Sequence, residues 1–198
     1  LVFLYGLAGV GKNWVGELLA GERGYHFYDA DRDLPDDMRA VVNAGGTFTA
    51  EQRSRYFTRI LLERVPELRA RYPRLCIAQA AYRAQHRELL SKFNPDALVV
   101  QVTAPWDLID RRLAARSDAV TPAYARTIAR NFQPPGPDEP IIENDGGADR
   151  VLRQFDELRR RMEMPAVSPS SRRREALLRT LGAWVVGFNR RDPDMIAA

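Results

Sequence analysis

Cysteine, histidine and lysine are scarce in this 198-residue sequence, and each scarcity narrows what the protein can be. The single cysteine, Cys76, cannot form an internal disulfide, and His26 and His86 make no zinc site with it at any familiar spacing. A cytoplasmic setting fits this usage better than oxidative folding does. Long apolar runs are also missing. Nothing approaches the roughly 18 residues that a membrane span needs, and residues 1–5 are too short and lack the basic flank of a signal peptide. A soluble protein with no membrane partner is expected. The sequence opens on Leu1 inside an apolar run and without Met, so further residues are expected upstream. An excess of base is absent from most of the chain. The net charge is +4, but through Met164 there are 24 Lys or Arg against 23 Asp or Glu, and from Pro165 onward 6 against 3. The basic face that nucleic acid would require is therefore not expected on the main body. Lys12 and Lys92 are the only lysines, so where Lys12 stands is informative.

What is present suffices for one packed domain. With 45% hydrophobic and 28% charged residues and a mean hydropathy of -0.39, the chain has material for one core and is not disordered overall. Apolar runs at residues 1–5, 25–29, 75–79, 97–103 and 140–144 read as strands. Amphipathic segments at 12–20, 36–44, 49–71, 83–92, 105–116, 122–131 and 148–162 read as helices between them. Strands joined by helical crossovers predict an α/β fold with a doubly wound, five-stranded parallel sheet. Residues 1–164 form the main domain, with a helical insertion at about 35–72 and a lid at about 112–132. Thr49, Glu51 and Gln52 give the long insertion helix a start signal, and Pro73 stops it. Residues 165–198 read as a linker and an amphipathic helix. Its stripe of Leu177, Leu181, Trp184 and Phe188 would dock on this domain or on a second subunit, the latter giving a homodimer.

The strongest chemical signal is Gly6-Leu7-Ala8-Gly9-Val10-Gly11-Lys12-Asn13, set between an apolar strand and an amphipathic helix. Glycines there let backbone N–H groups turn toward a di- or triphosphate, the helix start favours negative charge, and Lys12 reaches the outer phosphates. A glycine-rich turn that only caps a helix is the bland alternative. Position 13 commonly carries a hydroxyl that ligates Mg²⁺, and here it is Asn13. An amide oxygen can also serve a hard cation, with a longer reach and different geometry. Strand two ends in Asp29-Ala30-Asp31, and the carboxyl ends of parallel strands open onto one crevice. Asp29 is assigned to Mg²⁺ and Asp31 to an acceptor hydroxyl as base, against the alternative that both are turn formers and a helix cap.

With these residues in view, the sequence resembles the small P-loop metabolite kinases, the gluconate kinase family first and the shikimate kinases more distantly. The likeness is carried by the loop through Lys12, by Asp29-x-Asp31, by Pro35 to Gly45 and by Thr49 to Phe57 around Arg53. It continues through Arg83 to Leu90, Arg112-Leu113-Ala114-Ala115-Arg116, Phe132 to Pro135 and Gly136-Pro137-Asp138-Glu139-Pro140, so it covers residues 1 to 160. The resemblance implies a P-loop NTPase-type fold, ATP and Mg²⁺ as cofactors, and phosphoryl transfer to a hydroxyl of a small polar metabolite such as gluconate. It makes Arg112 and Arg116 lid arginines, four apart and so on one helical face, where an arginine can stabilise charge on the transferring group. A solvated basic face is the alternative for both. Arg53 becomes a clamp for an acceptor carboxylate.

The sequence also departs from that family. Members carry Ser or Thr where Asn13 stands, a Cys-Ser-Ala-Leu-Lys-like run where Ala78-Gln79-Ala80-Ala81-Tyr82 stands, and a His-Phe-containing lid where Ser117-Asp118-Ala119-Val120 stands. These leave two alternatives: a kinase for another acceptor, shikimate-like or an antibiotic, and a nucleotide-binding module with weakened catalysis. Elsewhere bland roles are expected. His86 reads as a surface histidine, Trp14 and Phe27 as packing between helix and sheet, and Cys76 as buried and inert.

Overall fold

Side chains along a strand alternate between faces, so a strand apolar at every position must be covered on both sides. The first strand, β1 (Val2–Tyr5), is buried throughout. Val2 and Leu4 join one core cluster with Val15, Leu19, Ile142 and Phe155, while Phe3 and Tyr5 join another with Phe57, Ile60 and Leu90. The computed structural model describes residues 1–116, 120–136 and 139–163 of the chain. The expected tail helix, with the subunit contact it would make, and residues 117–119 of the expected lid lie outside them.

The element order is β1, α1 (Lys12–Arg23), β2 (His26–Asp29), α2 (Asp36–Asn43), α3 (Ala50–Arg59), α4 (Val65–Arg71), β3 (Leu75–Ala78), α5 (Ala84–Phe93), β4 (Leu98–Thr103), α6 (Trp106–Ala114), α7 (Pro122–Ala129), β5 (Ile141–Glu143) and α8 (Ala148–Glu163). All four strand pairings are parallel, in the order β2-β3-β1-β4-β5. The first strand in sequence is thus the central one. The carboxyl ends of β1 and β3 lie side by side where the strand order reverses, which is where open α/β sheets place their ligands.

Local sequence explains the elements that frame that edge. Helix α3 begins with a full capping box: Thr49 Oγ1 accepts from the Gln52 N–H at 3.1 Å, and Gln52 Oε1 accepts from the Thr49 N–H at 3.0 Å. The expected single helix over 49–71 contains a π-helical stretch at Ile60–Arg64, where the Val65 N–H reaches back to Ile60 O. Pro66 follows directly, has no N–H to offer and crowds the preceding turn, so the widened turn lets the helical path continue past it.

Two other expectations are corrected. Helix α6 ends at Ala114, with Arg116 beyond its cap, so Arg112 and Arg116 do not share a helical face. Trp14 is 38% exposed rather than packed on the sheet, whereas Phe27 does pack there, against Gly16 of α1. A Cβ on Gly16 would lie 2.1 Å from the Phe27 ring, so this close approach needs glycine. Cys76 is fully buried in β3, and burial pushes its thiol well above the usual range, which agrees with an inert role.

Candidate active site

The loop between β1 and α1 curls over the sheet edge because its glycines permit positive φ. Gly11 has φ 88°, and a Cβ there would lie 2.4 Å from the Asn144 amide nitrogen, so no other residue fits without a shift. The loop is held from behind at a single carbonyl. Val10 O accepts from Asn144 Nδ2 at 2.8 Å and from Arg112 Nη1 at 3.1 Å, while Arg112 Nη2 also donates to Asn144 Oδ1 at 3.2 Å. Asn144 is fully buried just past β5. Arg112 therefore stands under the loop as part of its support.

Lys12 opens α1 and folds back over the loop, its Nζ donating to Gly6 O and Leu7 O at 3.0 Å each. Its pKa is lowered, first by desolvation and then by Arg116, with Asp31 and Asp29 opposing. Beside it Asn13 Nδ2 donates to Asp29 Oδ2 at 2.7 Å. Asp29 Oδ1 accepts from the Asp31 N–H at 3.1 Å, so Asp29 also caps the short 3₁₀ turn Ala30–Asp33. The helix-cap alternative is thus visible in this carboxylate, and the two residues expected to hold metal are hydrogen-bonded to each other. Among the described residues no group of three or more His, Cys, Asp or Glu could hold a metal by itself. An amide and a carboxylate at the loop are nevertheless hard oxygen donors of the kind Mg²⁺ takes alongside phosphate oxygens and water.

Past the loop lies a cleft of about 440 Å³ whose lining includes Ala8, Gly9, Gly11, Lys12, Asn13, Asp31, Arg53 and Arg116. Asp31 is open to this cleft, yet desolvation by the protein around it raises its carboxyl above the usual range; Asp29 adds to the shift and Lys12 opposes it. The turn carrying Asp31 is fastened by the Tyr56 hydroxyl, which donates to Ala30 O. Arg53 reaches in from α3 with Nη2 on Phe48 O at 2.5 Å, while its Nε is buried without a partner among the described residues. Met38, Phe48 and Phe57 supply apolar wall, and Tyr82, Tyr124 and Ile128 close the side toward α7. Helix α7 is itself tied to α6, where Arg126 pairs with Asp110 and stacks 4.7 Å over the Trp106 ring.

No family model matches the chain. A curated relative, a shikimate kinase from Nostoc sp., is 30% identical over 114 residues, 58% of this chain and 60% of its own length. The chain thus spans less than two thirds of that relative. An unliganded sugar kinase from Janibacter sp. HTCC2649 superposes with a TM-score of 0.69 at 19% identity, over 80% of this chain and 93% of that one. A gluconokinase from Sinorhizobium meliloti 1021 gives a TM-score of 0.69 at 20% identity, over 82% and 93%. The fold is that of the P-loop small-molecule kinases. Within the P-loop fold, residues 6–13 form the loop, and Lys12, Asn13, Asp31, Arg53 and Arg116 share the cleft. Arg112 lies behind the loop instead.

Sequence reasoning missed three residues of this P-loop site. Asn144 was only the end of a strand, and nothing local marks it as the partner of Val10. Gln79 stood within a departure from the family run. His86, expected at the surface, is 3% exposed and lines the cleft. Its ring stacks on Phe57 with centroids 4.6 Å apart, and its Nε2 lies 3.3 Å from Ser54 Oγ. Burial, then Arg83, Arg53 and Arg87, lower its pKa to about 4, so it is neutral at physiological pH. Only the contacts with Phe57 and Ser54 of α3 reveal which way His86 points.

Proposed function

We propose that the protein is an ATP-dependent kinase that moves a γ-phosphoryl group to a hydroxyl of a small, carboxylated polar metabolite, a sugar acid such as gluconate. One observation carries this reading: a glycine loop with its lysine, an acid, and two arginines from different elements converge on one cleft. The cytoplasmic setting goes with it, since ATP is the co-substrate.

In this mechanism the loop N–H groups and Lys12 hold the phosphates. Lys12 Nζ now contacts two neutral backbone carbonyls, so phosphate oxygens in their place favour its charged form. Asn13 and Asp29 would hold Mg²⁺, which when bound neutralises phosphate charge. Asp31 orients the acceptor hydroxyl and takes its proton as the acceptor oxygen bonds to the γ-phosphorus and the bond to the bridging oxygen of ADP breaks. The desolvation that raises the Asp31 carboxyl makes it a better base than an aspartate in water. Arg53 grips the acceptor's acid group, and Arg116 stabilises charge on the equatorial oxygens.

A second reading, a nucleotide-binding module with weakened catalysis, is favoured by one observation, the Asn13 amide committed to Asp29. Steady-state kinetics with gluconate and with an uncharged polyol of similar length separate the two. Asp31→Asn should leave ATP affinity nearly intact and cut transfer by roughly 10² or more. Arg53→Lys should raise KM for the carboxylated acceptor, because an ammonium cannot make the bidentate pair. Preference for the uncharged polyol would end the clamp model. ATP binding without transfer to any acceptor, at any Mg²⁺ or Mn²⁺ concentration, would favour the second reading.

A further inference from the structure

Gln79 is the first residue past β3, and its N–H donates to Leu4 O at 3.0 Å on the strand that leads into the loop. It is 3% exposed, and its Oε1 has no hydrogen-bond partner among the described residues. A buried carbonyl oxygen without a donor is destabilising, and folded proteins rarely keep one unless something else completes it. The oxygen itself is covered, but its residue is not sealed in the core. Gln79 lines the cleft that also holds Asp31 and Arg53, and Arg53 Nε is a second buried polar atom there without a partner among the described residues. One atom lacks a donor and the other lacks an acceptor, in a cleft otherwise walled by Met38, Phe48 and Phe57. A hydroxy acid supplies both.

We propose that Gln79 is a specificity-determining residue that accepts a hydrogen bond from a second hydroxyl of the acceptor, one that is not phosphorylated. This rests on the kinase reading and narrows its substrate class to acids with at least two hydroxyls. One hydroxyl is held by Asp31 for transfer, one donates to Gln79 Oε1, and the acid lies on Arg53. An acid with a single hydroxyl leaves the buried oxygen unpaired and is rejected for that reason. A site built around a hydroxyl discriminates strongly against analogues lacking it.

The test uses Gln79→Met, which keeps the length of the side chain and removes the acceptor oxygen. Wild type and variant are assayed at saturating ATP with gluconate, with shikimate, and with the monodeoxy analogues of whichever is phosphorylated. Wild type should lose roughly tenfold or more in kcat/KM on one deoxy analogue that still carries the transferred hydroxyl. The variant should show that same loss on the parent acid and no longer distinguish it from the analogue, with KM for ATP unchanged. Its ligand-free Tm should match or exceed that of wild type, because an unpaired buried oxygen is gone. Unchanged kcat/KM in the variant, or discrimination like that of wild type, overturns the proposal. So does a Tm several degrees lower with equal losses on every acceptor, which marks Gln79 as structural. If wild type itself transfers to none of these acids while ATP raises its Tm, the sugar-acid reading fails and the inference falls with it.

Discussion

Lowering the pH should destabilise this protein through His86 by an amount the structure sets. The folded imidazole titrates at about 4 because burial and the cations Arg83, Arg53 and Arg87 oppose its charge, against 6.5 in an unfolded chain. Between those values the unfolded state binds a proton that the folded state refuses. Stability is therefore whole above about pH 6.5 and is lost as the pH falls toward about 4. The full loss is about 3 kcal/mol, and about 2 kcal/mol of it is spent by pH 5. The residue is only 3% exposed, so solvent screening takes little from this. His86→Gln can keep the Ser54 contact and removes the titrating ring. Urea unfolding at pH 7.5 and 5.0 should show wild type losing about 2 kcal/mol more than the variant over that interval. Subtracting the variant cancels every contribution that the two proteins share. An equal fall in the two would refute the buried, neutral histidine.

Lys12→Ala should abolish transfer and weaken nucleotide binding in calorimetry, with about 3 to 4 kcal/mol lost from the transition state; wild-type turnover would remove the phosphate-loop reading. Asn13→Ser should free Asp29 Oδ2 from its amide partner and lower the Mg²⁺ concentration for half-maximal activity, as an activity titration would record. Arg112→Ala should weaken ATP binding and reduce stability by about 1–3 kcal/mol, because Val10 O and Asn144 lose a buried donor. Arg116→Ala should instead reduce kcat more than it weakens ATP binding, and equal losses in both variants would erase the distinction between them.

Much of the scaffold was legible because its signals are local. Apolar runs alternating with amphipathic segments marked the strands, and Thr49 with Gln52 announced the start of α3 three residues apart. The loop was legible for the same reason, since Gly6 to Asn13 is contiguous. What failed depends on contacts distant in sequence. His86 is polar and lies on a helix with an ordinary period, and its burial comes from Phe57 and Ser54 on another helix. Arg112 and Arg116 share a spacing of four, but α6 stops between them, and the Val10 carbonyl that captures Arg112 belongs to the first loop of the chain. Trp14 looked like core by residue type alone, yet on α1 the place against Phe27 falls to Gly16.

The central position of β1 has a consequence for how the chain is made. Val2 pairs with Cys76 on one side and Leu98 on the other, so neither edge of this strand has its partner until those residues leave the ribosome. At about 5 to 20 residues per second, the first partner arrives roughly 4 to 15 s after β1. Through that interval an apolar segment waits with both backbone edges open, the condition that invites pairing with other chains. The loop that follows β1 is in the same position. Its glycines emerge well before β5, but the carbonyl brace from Asn144 comes only after that strand, so the loop is synthesised long before it can be shaped.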